Sequence, residues 1–126
     1  MVYLTTCCSQ RVDFAKLPYA ARDATLTSYF DSTSNRSFLY YFGGLCGVHA
    51  FSTLYKIDIH DQSATFVAIA TLDPSVYARS EHAAAILESK NNRLELIVIG
   101  GYNPKVRLTQ QLDPVLLRPF TWIRLT

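Results

Sequence analysis

The side chains most able to do chemistry in this chain are its histidines and cysteines. They are His49, His60, His82, Cys7, Cys8 and Cys46. An odd number of cysteines that includes one vicinal pair is a poor disulfide framework. No further ligand at metal-site spacing accompanies the vicinal pair. We therefore expect free thiols in a reducing compartment, and a redox or soft-metal site at Cys7-Cys8 is the alternative.

Catalytic motifs are missing from the sequence. No nucleophile has a visible base partner, and neither G-x-S-x-G nor H-E-x-x-H occurs. Asp58 and Asp61 lie close together, but they flank a predicted turn. The diglycines Gly43-Gly44 and Gly100-Gly101 do not open a helix, as a phosphate-binding loop would. We predict that the chain is not an enzyme and that it has no catalytic residue, no metal and no cofactor.

Composition indicates a folded chain that is rich in strands. Of the 126 residues, 49% are hydrophobic, 17% are charged and 13% are aromatic. Aromatic residues favour the pleated, half-buried surface of a sheet. A net charge of +2, with no cluster of basic residues, argues against nucleic acid as a partner. No apolar run is long enough to span a bilayer and no signal peptide is recognisable, so we expect a cytoplasmic protein without a membrane partner.

An internal repeat organises the sequence. Arg22 and Arg79 are 57 positions apart, and the same offset relates Gly43-Gly44 to Gly100-Gly101. A second alignment, at an offset of 52, joins Tyr3 to Tyr55, Gln10 to Gln62 and Phe14 to Phe66. A third copy places Trp122 in register with Phe66 at an offset of 56. We interpret the unequal offsets as loops that vary in length between strands that do not.

Each repeat predicts four antiparallel strands. A first strand follows the arginine, and a polar turn leads into an apolar second strand that ends at the diglycine. No feature calls for a helix, and even the alanine-rich segment His82–Leu87 is predicted to be a strand because of its place in the repeat. The predicted strands are 25–30, 38–42, 51–59 and 64–70 in one unit, and 82–87, 94–99, 106–112 and 120–125 in the other.

This ordered set of residues resembles the kelch repeat. Arg79 with His82 matches the opening of that repeat, the two diglycines match its turn, and Trp122 matches its tryptophan. Phe66 replaces the tryptophan in the other unit, and the preceding tyrosine is degenerate. The structural motif residues that the resemblance implies are Arg22, Gly43, Gly44, Phe66, Arg79, His82, Gly100, Gly101 and Trp122.

The resemblance implies an all-β fold of four-stranded antiparallel blades in an incomplete β-propeller. Residues 1–17 would supply the last two strands of one blade, residues 18–70 a second blade, and residues 77–126 a third. Propellers have about four to eight blades, so we expect further blades, in the same or another chain or by self-association. The implied function is a protein-interaction module with a protein partner. The alternative is a fragment of a propeller enzyme, sugar-acting or metal-dependent, whose active site lies mostly in missing blades.

Loops at one end of the blades are the predicted binding surface. The connections 45–50, 71–77 and 102–105 should emerge on the same side, and binding residues belong to loops on a rigid scaffold. Arg79 has two interpretations, structural hydrogen bonding or a ligand-facing guanidinium. His82 is interpreted as an inner-strand residue, with a ligand role as the alternative. The predicted binding residues are His49, Tyr77, Arg79, Tyr102, Lys105 and Arg107.

Overall fold

The computed structural model describes residues 3–6, 9–11, 16–61, 63–105 and 120–125. Eleven strands and one short helix lie entirely within this part of the chain. The strands are Tyr3–Thr6 (β1), Ser9–Arg11 (β2), Thr25–Asp31 (β3), Arg36–Phe42 (β4), Leu45–Cys46 (β5), His49–Ala50 (β6), Thr53–Asp58 (β7), Val67–Thr71 (β8), Ser80–Glu88 (β9), Leu94–Tyr102 (β10) and Phe120–Arg124 (β11). The helix, α1, is Pro74–Tyr77.

The first sheet is a four-stranded antiparallel meander in the order β3-β4-β7-β8. Burial alternates residue by residue along β3, which is the period-2 pattern of a strand with one covered face. A four-residue turn, 32–35, joins β3 to β4, with Asp31 opposite Arg36. The four strands predicted within residues 18–70 are therefore confirmed.

The second sheet contains three described strands in the order β11-β10-β9. Strand β9 includes the alanine-rich segment His82–Leu87, so the prediction of a strand there is confirmed. Long pairing with β10, from Ser80 to Glu88, outweighs the weak strand preference of alanine. The strand predicted at 106–112 lies outside the described residues.

The core lies between the two sheets. Tyr40, Phe42 and Leu54 of the first sheet are 0–2% exposed, and Leu96 and Val98 of the second sheet are 0–1% exposed. All five belong to one apolar cluster. The sheets therefore pack face to face, and the prediction of an all-β fold is confirmed.

One prediction about secondary structure is wrong, because the connection between the two sheets contains the helical turn α1. Asp73 caps this turn: its side chain accepts a hydrogen bond from the backbone nitrogen of Ser75 at 2.9 Å. Pro74 follows at a position where the backbone nitrogen needs no acceptor. The sequence predicted only a connection over residues 71–77, although aspartate and proline also suit a helix start.

At the start of each sheet, structurally equivalent residues are 58 positions apart, one more than the offset of 57 that relates Arg22 to Arg79 in the sequence. Asp23 and Glu81, which are 58 positions apart, share a positive φ of 57° and 55°. The backbone pairing of Arg22 with Leu45 corresponds to that of Ser80 with Tyr102. Arg22 is thus the counterpart of Ser80, and the predicted equivalence of Arg22 and Arg79 is wrong.

A longer hairpin turn causes this shift. Residues 89–93 connect β9 to β10, one residue more than the 32–35 turn of the first sheet. The diglycines keep their offset of 57, with matching φ values of 71° at Gly43 and Gly100. The extra turn residue therefore raises the offset from 57 to 58 only for β9 and for the segment that leads into it.

Trp122 also occupies a different place from the one predicted. Strand β11 pairs directly with β10, with Trp122 opposite Ile97. In the first sheet the corresponding strand is β7, in which Lys56 lies opposite Tyr40. Phe66 instead precedes β8, the fourth strand, and its ring lies 6.1 Å from that of Tyr41. Trp122 therefore corresponds to Lys56 in the structure.

Candidate functional site

A cavity of about 300 Å³ opens at the end of the sheets where the three predicted connections meet. We call it the loop-end cavity. It combines apolar walls with a few polar groups, which is the usual make-up of a recognition site. Its lining residues are His49, Ala50, Pro74, Ser75, Ala78, Asn103 and Lys105.

Each wall of the cavity comes from a different connection. His49 lies in the small β5-β6 hairpin, which is inserted between β4 and β7. Its ring packs edge-on against Phe51, with 4.9 Å between the ring centroids. Ser75 lies in α1, and its hydroxyl donates to the Asp73 carboxylate at 2.7 Å. The connection after β10 supplies Asn103 and Lys105.

Asn103 ties two of these connections together. It is 6% exposed, and its Nδ2 donates to the carbonyl oxygen of Ala78 at 2.9 Å. Its Oδ1 accepts a hydrogen bond from the backbone nitrogen of Lys105 at 3.1 Å. A buried side-chain amide that uses both its donor and its acceptor fixes the backbone on either side. Hydrogen bonds of Asn103 therefore join two of the connections that form the cavity.

Arg79 directly follows the lining residue Ala78 and is 0% exposed. Its guanidinium donates to the carbonyl oxygens of Gly100 at 2.8 Å, Val76 at 2.9 Å and Tyr77 at 3.2 Å. Burial lowers the pKa of this group. The ligand-facing interpretation of Arg79 is therefore wrong, because its donors bind backbone oxygens of the protein itself.

Backbone atoms of Arg79 complete this junction. Its carbonyl oxygen accepts from the nitrogen of Gly44 at 2.8 Å, and its nitrogen donates to the carbonyl oxygen of Phe51 at 3.3 Å. Arg22, by contrast, has a side chain that is 64% exposed and lies 4.0 Å from Asp23. The two arginines therefore have different structural roles.

His82 is an inner, buried histidine, as its place in the repeat predicts. It is 8% exposed, and its Nε2 lies 2.9 Å from Thr25 Oγ1 in the first sheet. Its ring packs edge-on against Phe42 at 5.5 Å, and Nδ1 is buried with no hydrogen-bond partner among the described residues. Burial, reinforced by the nearby charge of Arg79, lowers the pKa of His82 to about 4.

This low pKa makes stability depend on pH. Between about pH 6.5, the ordinary histidine pKa, and about pH 4, the unfolded chain binds a proton that the folded chain excludes. We expect the free energy of unfolding to fall by about 3 kcal/mol as the pH drops through this window.

Urea unfolding at several pH values measures this loss. His82→Gln should flatten the pH dependence, whereas His60→Gln, which changes an exposed turn histidine, should leave it unchanged. An equally steep fall in stability in the His82→Gln variant would contradict the assignment.

Two of the predicted binding residues line the loop-end cavity, namely His49 and Lys105. Tyr77 is half-buried and packs against the core between the sheets. Tyr102 is also half-buried, and its carbonyl oxygen accepts a hydrogen bond from the Ser80 hydroxyl at 3.4 Å. Neither tyrosine is part of the cavity lining. Arg107 lies outside the described residues.

Five lining residues were not predicted as binding residues from the sequence: Ala50, Pro74, Ser75, Ala78 and Asn103. Asp73-Pro74-Ser75 carries the signature of a capped helix start, which would have placed Pro74 and Ser75 on a defined turn. Asn103 precedes Pro104, and an asparagine before proline commonly initiates a turn through its side-chain oxygen. The sequence indicated the local backbone conformation at Asp73-Pro74-Ser75 and Asn103-Pro104, but it did not indicate that these segments meet at one cavity.

A second cavity, of about 410 Å³, lies at the opposite end of the sheets, where the hairpin turns are. We call it the turn-end cavity. Tyr29, Asp31 and Glu88 make its lining more polar than that of the loop-end cavity. The Lys56 ammonium lies 4.1 Å from the centre of the Phe38 ring, so these two lining residues already pair in a cation–π contact. We regard the loop-end cavity as the better recognition site.

Cys46, in strand β5, is disulfide-bonded. The interpretation of all three cysteines as free thiols is therefore wrong. Among the residues that the structure describes, no group of three or more histidine, cysteine, aspartate or glutamate side chains is arranged to hold a metal ion. Within the same part of the chain, no helix has the length and apolar character needed to cross a membrane.

Comparison of the chain with protein-family models, with curated proteins and with solved structures finds no match.

Proposed function

We propose that this chain is a kelch-type β-propeller segment that binds a protein partner through its loop end. The observation that carries the proposal is the convergence of three separate connections on one largely apolar cavity, with two of them joined by hydrogen bonds of Asn103. Binding surfaces are commonly built in this way, from loops held by a rigid scaffold.

Three features of the sheets support the propeller part of the proposal. The first sheet is a four-stranded antiparallel meander, as a blade should be. The second sheet packs on it face to face through one apolar cluster. The diglycine that follows β4 and the diglycine near the end of β10 also have similar φ values, of 100° at Gly44 and 104° at Gly101.

A protein partner suits the cavity better than a small substrate does. The cavity is open at the surface, and His49 and Lys105 are both exposed at its edge. Apolar walls with polar groups at the rim are typical of protein interfaces. The buried polar groups nearby, Arg79 and Asn103, use their hydrogen bonds to hold backbone carbonyls of the protein.

Peptides selected from a random display library on the immobilised chain test this proposal. We expect selected peptides to lose about tenfold or more in affinity for the His49→Ala/Lys105→Ala double variant, because both side chains border the cavity. The control variant is Lys90→Ala/Asn92→Ala, which changes two exposed residues at the turn end. Peptides that bind both double variants as well as the original chain would overturn the site assignment.

The cytoplasmic location remains a prediction. Disulfides persist mainly in oxidising compartments, so the disulfide at Cys46 argues against a cytoplasmic location. Alkylation of thiols in freshly lysed cells, followed by mass spectrometry, measures the state of Cys46 directly. A fully alkylated Cys46 would support the cytoplasm.

A further inference from the structure

The hairpin turn 32–35 of the first sheet leads into a short sequence motif that the loop-end cavity does not use. Asn35-Arg36-Ser37 has the pattern of an asparagine, any residue except proline, and then a serine or threonine. This pattern is the acceptor for N-linked glycans, and it functions where it lies on the surface of a secreted protein. In the whole sequence the pattern occurs only here.

The structure places this motif where an enzyme can reach it. Asn35 is exposed in the hairpin turn. Asparagines in turns often use their side chains to bond the nearby backbone. In this turn Asp31 does so instead, because its carboxylate accepts from the Thr33 nitrogen at 2.9 Å and from the Ser34 hydroxyl at 2.7 Å. Within the part of the chain that the structure describes, the Asn35 amide makes no hydrogen bond, so it is available for modification.

The middle residue of the motif also leaves the amide accessible. The Arg36 guanidinium lies 2.9 Å from the Asp58 carboxylate, so this side chain is paired with β7. Ser37 lies in β4, opposite Phe30, and is half-buried. The asparagine is therefore the exposed end of a motif whose other two residues are held by the first sheet.

The hairpin turn of the second sheet provides an internal comparison. Asn92 is exposed there and has a φ of 56°, close to the 55° of Asn35. An arginine follows it as well, but Leu94 occupies the position that Ser37 has in the first sheet. The turn geometry explains an asparagine in both hairpins, because asparagine tolerates a positive φ. It does not explain the serine, which completes the acceptor motif in the first sheet alone.

A second observation concerns the compartment. Cys46 is disulfide-bonded, and disulfides form and persist in the lumen of the endoplasmic reticulum and in secreted proteins. A used N-glycosylation motif likewise belongs to a secreted protein. The two observations are independent, because one rests on thiol chemistry in strand β5 and the other on a turn next to β4. Both indicate the same compartment.

We propose that Asn35 is an N-glycosylation site. The co-substrate is an oligosaccharide that is linked to a polyprenyl diphosphate. The Asn35 Nδ2 forms a bond to the anomeric carbon of the first sugar, while the bond between that carbon and the diphosphate oxygen breaks. The diphosphate leaves with the electron pair of the broken bond, and the amide nitrogen loses one proton. Nothing is oxidised or reduced in this transfer.

The glycan would project from the turn end of the molecule. Ser32 and Thr33 of the same turn line the turn-end cavity, whereas the loop-end cavity lies at the opposite end of the sheets. The glycan would therefore leave the loop end free for a partner. This proposal goes beyond the proposed function, and it requires that the prediction of a cytoplasmic location is wrong.

Digestion of the protein with a peptide N-glycosidase tests the proposal. The chain is isolated from the cells that produce it, and its mass is measured before and after digestion. We expect the undigested protein to be heavier than the polypeptide and digestion to remove the excess mass. The enzyme converts a glycosylated asparagine to aspartate, so peptide sequencing by mass spectrometry should then find aspartate at position 35.

Variants produced in the same cells identify the acceptor. Asn35→Gly removes the amide but keeps a residue that tolerates the positive φ, so the turn should survive and the glycan should be lost completely. Ser37→Ala should also abolish the modification, whereas Ser37→Thr should retain it. Asn92→Gly is the matched control, because it removes an exposed turn asparagine with nearly the same φ and should leave the glycan unchanged.

Three results would overturn the proposal: a protein whose mass does not change on digestion, a glycan that persists in Asn35→Gly, or a glycan that persists in Ser37→Ala. Loss of the glycan in Asn92→Gly as well would show that the turns, and not the motif, determine the modification, and would also overturn it. Peptide selection on the immobilised chain does not depend on the glycan, so the proposed function and this proposal can fail independently.

Discussion

Replacing Arg79 with alanine is expected to lower the free energy of unfolding by about 3–5 kcal/mol. The carbonyl oxygens of Gly100, Val76 and Tyr77 would lose their guanidinium donors. Each buried acceptor that is left without a donor costs roughly 1–3 kcal/mol. Urea unfolding followed by circular dichroism measures the change, and we expect the melting temperature to fall with it.

Arg22→Ala is the matched control for this prediction. The Arg22 side chain is 64% exposed, so its removal should change the free energy of unfolding by no more than about 0.5 kcal/mol. Arg79→Lys should also destabilise the fold, since a single ammonium cannot reproduce the planar fork of donors. Equal losses in Arg22→Ala and Arg79→Ala would restore the equivalence that the sequence suggested and contradict the structure.

A second large effect is expected at Gly43. A β-carbon at this position would overlap with His82 Cε1 and would lie 2.7 Å from the Arg79 carbonyl oxygen. Gly100 has the same φ of 71°, but a β-carbon added there would meet no atom of the described residues within 4 Å. Both alanine variants therefore incur the same backbone strain, of about 1–2 kcal/mol. Gly43→Ala alone must also move the neighbouring sheet.

We expect Gly43→Ala to be destabilised by roughly 1–3 kcal/mol more than Gly100→Ala, the usual cost of overpacking a filled site. Calorimetric unfolding of the two variants under identical conditions measures the difference. Should the two variants prove equally stable, the close approach of β9 to the first diglycine would be refuted. A milder phenotype in Gly43→Ala/His82→Ala would support the histidine as the colliding group.

The sequence predicted the strands well because their physical signals are local. The apolar run that ends at Gly43-Gly44 and the alternation along Thr25–Asp31 are properties of neighbouring residues. Even the alanine-rich β9 was predicted, because the repeat outweighed its composition. The short helix at Pro74–Tyr77 was missed, since one helical turn has no periodicity to detect.

The repeat equivalences were harder to predict because they depend on turn length. Matching Arg22 to Arg79 assumed equal hairpin turns, whereas the second turn has five residues and the first has four. Nothing in a polar turn reveals which residue is the extra one. Trp122 was misaligned for a related reason, since the strand that pairs with β10 is selected by the whole sheet.

Only two of the predicted binding residues line the loop-end cavity. His49 and Lys105 were identified because they lie on connections that must emerge together. Tyr77 was chosen for its residue type, yet an aromatic side chain next to a core is more stable when it packs inward. The bonding of Arg79 to three carbonyls could not be inferred, because it depends on backbone positions that are far apart in sequence.

The hydrogen bonds at Arg79 couple the unfolding of the two sheets. Its backbone bonds reach Gly44 and Phe51 of the first repeat, and its side chain reaches Gly100 of the second. Neither sheet can open without breaking bonds that belong to the other. The two repeats are therefore expected to unfold as a single cooperative unit that includes the linker between them. A break in the chain at this point should destabilise both sheets.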